Sequence, residues 1–440
     1  DALVESLAAL PQDCDVVVFP ELCITGYTCG DLFRQERLLK AAEEEVARLA
    51  KAAELNGRLV FVGAPIAVGN ELFNCAVALA GGKVVGIAPK QHLPNYFEFY
   101  ESRHFRNARG DEPAAIEYAG CEAPFGIDLL FQLDRDVLLF AEICEDLWTP
   151  IPPSSYAALA GATLLVNLSA SNETVAKNEY RTELVRNQSG RCIAAYAYAS
   201  AGPSESTSDV VYGGHCLICE NGSLLSESGR VGDGKAYPTI NFTVSDVDVH
   251  RLLTERRSTT SFGDASSGEN GYRVIDVAEA IHANGPRKAL LRKVDGRPFV
   301  PRDSARLAQR CDEVFGIACA GLVKRLQSAP VKQVFIGVSG GLDSTLALLA
   351  TVRAFEQLGR DLKEIVGITM PGFGTSEQTL TNALRLMHEL DVTSKQIDIR
   401  AICLETFRAL EYAPFGIEIT PEMTVETFTD RLRALPEPPS

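Results

Sequence analysis

Val334-Phe335-Ile336-Gly337-Val338-Ser339-Gly340-Gly341-Leu342-Asp343-Ser344-Thr345 is an apolar run that leads into two adjacent glycines and then into the helical pattern Leu346-Ala347-Leu348-Leu349-Ala350. A strand that feeds a tight loop and a helix leaves backbone N–H groups and a helix N-terminus free to hold an anion. Ser339 and Ser344 add hydroxyl donors, and Asp343 offers a carboxylate for a magnesium ion held against phosphate. The expectation is a nucleotide pyrophosphate loop formed by Gly337, Val338, Ser339, Gly340, Gly341, Leu342, Asp343 and Ser344. A Walker A loop is excluded, because the Gly-Lys-Ser/Thr ending is absent. The stretch also satisfies the Gly-x-Ser-x-Gly nucleophile elbow, which would need a downstream acid and then a histidine. Only His388 lies downstream, inside the pattern Leu384-Arg385-Leu386-Met387-His388-Glu389-Leu390, where a helix-surface position is the simpler reading. Ile365-Val366-Gly367-Ile368-Thr369-Met370 supplies the next strand, so this block is a parallel βαβ sheet.

Working outward, the 440 residues are 46% apolar and 23% charged, as expected of a globular chain with ample core. The net charge of −16 argues against a nucleic-acid partner. No segment has the apolar length of a membrane span, and no secretory signal pattern opens the sequence. The 12 cysteines are scattered without the dense spacing of a disulfide scaffold, and read as reduced thiols of a cytoplasmic protein. Cys216 and Cys219 form one Cys-x-x-Cys ahead of Asn221-Gly222, a hairpin signal. In a strand they face opposite sides, which argues against a shared metal. The opening Asp1 and the closing Leu435-Pro436-Glu437-Pro438-Pro439-Ser440 lead to the expectation of a sequence truncated at both ends.

Before this block, from Asp15 to about Asp248, apolar strands alternate with helical stretches: Val16-Val17-Val18-Phe19, Leu59-Val60-Phe61-Val62, Val84-Val85-Gly86-Ile87, Val137-Leu138-Leu139-Phe140 and Leu164-Leu165-Val166. Near-continuous apolar strands belong to sheets buried on both faces. Polar residues from His250 to about Arg297 read as a long irregular connection. The expected division is therefore 1–250, a linker over 251–297, and 298–440.

Three of the upstream strands end in chemistry. Glu21 follows Val16-Val17-Val18-Phe19-Pro20, Lys90 follows Val84-Val85-Gly86-Ile87-Ala88-Pro89, and Cys144 follows Leu138-Leu139-Phe140-Ala141-Glu142-Ile143. Ligands of open α/β sheets bind beyond strand ends. A free thiol is mostly protonated at neutral pH and needs a base or a nearby cation to become a good nucleophile. Glu21 suits the base, and Lys90 suits stabilisation of a thiolate and an oxyanion, with a backbone N–H near Glu145. The trio is thus a kit for covalent amide hydrolysis. His92 and His104 flank Lys90, but no step of that chemistry requires a histidine.

These residues carry a resemblance. Phe19-Pro20-Glu21-Leu22, Pro89-Lys90 with Leu93-Pro94-Asn95-Tyr96, and Glu142-Ile143-Cys144-Glu145-Asp146-Leu147-Trp148 resemble the three motifs of the nitrilase superfamily. A nitrilase-like block followed by Ser-Gly-Gly-x-Asp-Ser, with Met370-Pro371-Gly372-Phe373-Gly374-Thr375-Ser376 after the second strand, is similar to the glutamine-dependent NAD synthetase family. The resemblance implies an N-terminal αββα sandwich and a doubly wound, Rossmann-like ATP pyrophosphatase block. It implies Glu101 as a support of the trio, Tyr27, Tyr96, Trp148, Ser171 and Lys177 as glutamine contacts, Met370 beside the ATP loop, and Asp343 as a metal ligand. It further implies ATP and Mg2+ with no prosthetic group, glutamine and deamido-NAD+ as substrates, and a homo-oligomer with no membrane. Ammonia from the first site would need a sealed passage to the second. A nitrilase-type amidohydrolase, a ligase for another carboxylate and a non-catalytic nucleotide module are the alternatives.

Overall fold

A computed structural model describes residues 1–435 apart from 53–54, 236, 239, 266–270, 282–288, 293, 298 and 302. Pro298, the expected start of the second block, and the terminal 436–440 lie outside the described residues. The chain divides into two compact units, Asp1–Val294 and Asp295–Ser440.

In the first unit, four strands form one sheet in the order β1 (Val16–Val18), β2 (Leu59–Val68), β3 (Glu71–Ala80), β4 (Lys83–Pro89). After the hairpin of β5 (Ala115–Tyr118) and β6 (Cys121–Pro124) come β7 (Leu129–Asp134), β8 (Val137–Ile143), β9 (Leu164–Ser169), β10 (Ala195–Ser200), β11 (Cys216–Glu220), β12 (Ser223–Glu227) and β13 (Arg273–Asp276). These seven form a second sheet in the order β12-β11-β10-β9-β8-β7-β13, in which β8, β9 and β10 run parallel.

The alternation of side chains along these strands builds the layers. Leu59 and Phe61 of β2 pack with Ala76 and Ala78 of β3 against Leu139, Ala141, Val166 and Leu168 of the second sheet, so the sheets lie face to face. The intervening residues Val60, Val62, Cys75 and Val77 point the other way, onto Leu7 of the helix α1 (Ala2–Ala9) and Val46 and Leu49 of α2 (Glu36–Ala50). On the far side, Phe140, Leu165, Tyr196 and Leu217 meet Ala157 of α3 (Pro153–Leu159) and Val185 of α4 (Lys177–Cys192). Helix, sheet, sheet, helix is the αββα arrangement expected. Asn221 and Gly222 both adopt positive φ between β11 and β12, as a two-residue hairpin turn requires.

Residues 251–297 depart from the irregular connection that their polarity suggests. Helix α5 (Val249–Ser258), capped by Asp248, buries Leu252 against Ile193 and Ala195. Its Arg256 donates to the carbonyl oxygens of Ala162 (2.6 Å), Cys192 (2.9 Å) and Ile193 (3.0 Å). Further on, β13 adds a parallel edge strand beside β7, and Arg273 clamps Asp128 at 2.6 and 2.7 Å. Polarity misleads here because a few buried apolar residues, Leu252 and Val277 among them, and the arginines Arg256, Arg273 and Arg292 bonded to the main body do the anchoring.

The second unit has the parallel sheet β14 (Val334–Gly337), β15 (Ile365–Thr369), β16 (Thr393–Gln396), connected through the helices Leu342–Leu358 and Glu377–Glu389. Val338, Leu348, Phe355, Ala383 and Met387 form its core with Leu326 of the helix Ser304–Ser328. His388 is exposed on its helix, as expected. Among the described residues, no helix is long and apolar enough to cross a membrane.

Candidate active site

Glu21, Lys90 and Cys144 each follow a strand of a different hydrogen-bonded position, and backbone contacts draw them together. Beyond β1 the chain bends through Pro20, and the N–H of Glu21 donates to Ser169 O at the end of β9 (3.2 Å). This bend presses on β2: a Cβ added to Gly63 would lie 2.1 Å from Leu22 N and 2.7 Å from Glu21 C. Glycine is required there to let the two backbones meet. Lys90 N donates to Asn74 O (2.8 Å), and Asn74 Nδ2 donates to Glu21 Oε1 (2.6 Å). Lys90 Nζ donates to Glu21 Oε1 at 2.6 Å and to both oxygens of Glu101 at 2.9 Å. Glu21 and Lys90 are entirely buried. Tyr27 Oη completes this knot by donating to Glu101 Oε1 at 2.6 Å.

Cys144 opens the short helical turn Cys144–Trp148 with φ of 43°. A left-handed conformation at a residue with a Cβ costs on the order of 1–2 kcal/mol, so the surroundings must hold it. Asp146 does so from one side, accepting from Ile143 N (3.0 Å) and His92 N (2.8 Å) and pairing with His92 Nδ1 (2.9 Å). Asn167 does so from the other, its Oδ1 accepting from Cys144 N at 3.1 Å.

Charge and burial set the proton inventory. Burial raises the Cys144 thiol to about 12, with Glu21 adding to the rise and Lys90 opposing it. Burial likewise raises Glu21 to about 7 against the pull of Lys90. Burial works against the Lys90 charge, yet Glu101 and Glu21 hold its pKa well above the usual ammonium value. Around neutral pH the arrangement therefore holds a thiol, an ammonium and a carboxylate that titrates in that range. Burial thus keeps the thiol protonated at rest, and a neighbouring base has to take its proton before or as a new bond to sulfur forms. Glu21 Oε2 suits that role: this carboxylate oxygen is buried and has no hydrogen-bond partner among the described residues.

The expected glutamine contacts surround this knot unevenly. Tyr96 Oη donates to Glu145 Oε1 at 2.8 Å, beside Cys144. Lys177 Nζ lies over the rings of Trp148 (5.3 Å) and Phe99 (5.7 Å) and bonds to Asn172 Oδ1, and burial lowers its pKa. Ser171 is buried, its Oγ 3.5 Å from Arg181 Nη2. Arg181 is itself fully buried, reaching Asn172 O (3.2 Å), Glu173 Oε2 (3.1 Å) and His215 Nδ1 (3.1 Å). His104 packs on Phe33 and Phe105, in keeping with a non-catalytic place. A cavity of about 110 Å³ touches this site through Tyr27 and Glu101. A far larger one of about 1460 Å³, lined by Val16, Val18, Leu139, Val166, Ala197 and Ile218, has none of the trio in its wall. The smaller one likewise has none of the trio in its wall and is linked to it through Glu101, which accepts from Lys90 Nζ.

Sequence reading missed Asn74, Asn167, Tyr196 and Arg181, and quoted Glu142 without a role. The available signal was a polar residue set inside an apolar strand, as in Phe73-Asn74-Cys75 and Val166-Asn167-Leu168. Burying such a group costs free energy unless it is hydrogen-bonded.

In the second unit the glycine loop is open. Ser339 N donates to Ser344 Oγ (3.2 Å), Gly341 N to Ser339 Oγ (3.3 Å), and the two hydroxyls lie 3.1 Å apart. Gly340 has φ of +85°, and a Cβ on it would fall 2.1 Å from Thr379 O, so the loop lies hard against the next helix. Met370 borders Gly337, 3.8 Å from where its Cβ would be. Asp343 stands exposed in the first helical turn. Among the described residues no group of three or more His, Cys, Asp or Glu is arranged to hold a metal. A lone exposed carboxylate beside this glycine loop is compatible with Mg2+, which is commonly held by one or two carboxylates together with substrate phosphates.

An αββα sandwich with Glu, Lys and Cys at its strand ends defines a carbon–nitrogen hydrolase architecture. Residues 2–247 match the carbon-nitrogen hydrolase family model, and the chain belongs to that family. Residues 315–435 match the NAD synthase model. Among similar proteins, the glutamine-dependent NAD(+) synthetase of Mycobacterium leprae is 42% identical over 392 residues, 88% of this chain and 56% of that protein. The enzyme of the same description from Aquifex aeolicus is 26% identical, covering 95% of this chain and 65% of that one. The chain thus spans 56% and 65% of the length of these two curated relatives. A crystal structure of a glutamine-dependent NAD(+) synthetase from Cytophaga hutchinsonii aligns at 20% identity and a TM-score of 0.48, over 98% of this chain and 67% of that one.

Proposed function

We propose that the protein hydrolyses the side-chain amide of glutamine and uses the ammonia to convert deamido-NAD+ to NAD+ at the expense of ATP, releasing AMP and pyrophosphate. The observation that carries this reading is the buried knot of Glu21, Lys90 and Glu101 beside Cys144. Cys144 Sγ attacks the amide carbon while Glu21 Oε2 takes the thiol proton and then passes it to the departing nitrogen. The Lys90 ammonium faces the developing oxyanion. Ammonia leaves, and water activated by the same carboxylate cleaves the thioester to glutamate. Glu101 fixes Lys90 and keeps it charged, and Tyr27 fixes Glu101.

At the second unit, the loop from Gly337 to Ser344 would receive the pyrophosphate released when the nicotinate carboxylate is adenylated. Mg2+, when bound, neutralises phosphate charge there, and Asp343 is the residue to hold it. Ammonia would then displace AMP. The likeness of residues 315–435 to NAD synthases and the loop chemistry support this half. Its acceptor rests on the named relatives.

The test incubates the protein with amide-labelled glutamine, ATP, Mg2+ and deamido-NAD+ and follows the label by mass spectrometry. Label in the carboxamide of NAD+ is the expected result. Glutamate without labelled NAD+ would retain the Cys144 chemistry and sink the acceptor, leaving a plain amidohydrolase or a ligase for another carboxylate.

A further inference from the structure

Behind Cys144, on the face of the second sheet turned away from the first, runs a line of buried polar groups that the proposed chemistry does not use. Ser154 N donates to Glu142 Oε2 (2.8 Å), Tyr196 Oη donates to Glu142 Oε1, and Asn167 Nδ2 donates to Tyr196 Oη (3.1 Å). Asn167 Oδ1 then accepts from Ser169 Oγ (2.7 Å) and Cys144 N (3.1 Å). Glu142, Asn167, Ser169 and Tyr196 are all buried. A polar chain in such a place is retained at a cost unless every member is satisfied.

Its members also fix one another's sense. An asparagine amide is nearly symmetric in shape, so nothing in its outline tells oxygen from nitrogen. The main-chain N–H of Cys144 can only donate, and needs the oxygen. Tyr196 supports that orientation only while its own hydrogen points at Glu142, leaving its oxygen open to the Asn167 NH2. Glu142 in turn must present an acceptor at Oε1, because Oε2 already faces the N–H of Ser154. The information that sets the main chain of the nucleophile thus begins two residues earlier on the same strand, and returns to it through β10 and β9.

We propose that Glu142 and Tyr196 are positioning residues for Cys144, acting through Asn167 to hold its left-handed main chain. A second consequence follows for the oxyanion: the N–H of Cys144 is committed to Asn167 and is not a donor to substrate. This inference rests on Cys144 being the reactive thiol, but not on glutamine being the substrate.

The experiment measures alkylation of Cys144 by iodoacetamide, in which the C–S bond forms as iodide leaves, using peptide mass spectrometry with the exposed Cys311 as an internal reference. In Glu142→Gln an NH2 group meets either Tyr196 or Ser154 N–H, so the chain must reverse or break. The ratio of Cys144 to Cys311 labelling should fall about tenfold, the loss expected when a buried hydrogen bond is left unmade. Tyr196→Phe removes the lock but leaves Asn167 its two donors, and should fall less, by about threefold. With glutamine as substrate, kcat should drop in both variants while KM stays put. Folded variants that label at the unaltered ratio would overturn the proposal; should Glu142→Gln fail to fold, Tyr196→Phe decides alone. Normal labelling of the unaltered protein with no turnover of glutamine would instead count against the proposed function and leave the relay standing.

Discussion

Glu21 and Lys90 of the first unit are sealed from solvent and joined at 2.6 Å, whereas Ser339, Gly341 and Asp343 of the second lie on an exposed loop whose hydroxyls bond to one another and to the loop's own main chain. The first arrangement is complete without a ligand. Its ammonium lies between two carboxylates, its nucleophile is braced, and its base has an oxygen waiting. The loop offers donors and a single carboxylate, and acquires a full set of partners only when phosphate arrives. A covalent step needs groups fixed to within fractions of an ångström, and burial supplies that fixity. A step in which charged phosphates do most of the chemistry can start from an open cradle.

Removing the sulfur should give the largest effect. Cys144→Ala should lower glutamine hydrolysis by a factor on the order of 10⁴ or more, while NAD+ formation supported by ammonium persists. Steady-state assays with the two nitrogen sources check this, and loss of both activities would break the contrast between the units. Next comes the proton acceptor. Glu21 titrates at about 7, and its protonated form cannot accept the thiol proton, so the hydrolysis rate should rise with pH through an apparent midpoint near 7. Glu21→Gln should lose that limb and about 10²- to 10⁴-fold in rate. Glu21, Lys90 and Glu101 face one another, so the midpoint belongs to the set of groups. An unchanged profile in the variant would remove Glu21 from the role.

Stability separates the units further. Lys90→Met leaves Glu21 and Glu101 buried beside each other without a cation, a loss of about 3–5 kcal/mol by denaturant unfolding at pH 8. Without the cation, the Glu21 pKa in the folded variant would stand further above its value in the unfolded chain. The stability that protonation restores is then present at pH 5 and lost as pH rises through the folded value, so the deficit should shrink at pH 5. A deficit independent of pH would point to packing alone. The smallest effect belongs to the loop: Ser344→Ala should change stability by no more than about 0.5 kcal/mol. Pyrophosphate binding, followed by calorimetry, should weaken by about threefold to tenfold with glutamine hydrolysis untouched.

How much of this could be read beforehand follows the same division between what a strand ends in and what a strand hides. Glu21, Lys90 and Cys144 each close an apolar run, which marks both the fold and the place where chemistry gathers. The glycine loop is legible for a similar reason, since Gly340 takes a positive φ within contact of Thr379 that a side chain would block. Asn74 and Asn167 are single polar letters inside apolar strands, and their partners Glu21 and Cys144 become neighbours only through sheet register. Strand β3 is not among the apolar runs picked out in the sequence, and β13 is four residues in a polar region. Arg256 falls inside the polar stretch expected to be a connection, because its partners are carbonyl oxygens that carry no signature in sequence.

Glu21 Oε2, the carboxylate oxygen of the sealed knot that has no hydrogen-bond partner among the described residues, limits the order of events as well as their rate. A single oxygen can store one proton at a time. On the proposed mechanism it must be emptied into ammonia before it can draw one from water, so acylation and deacylation cannot overlap. Nitrogen departs first, water enters second, and the timing of the cycle is kept by the capacity of one atom.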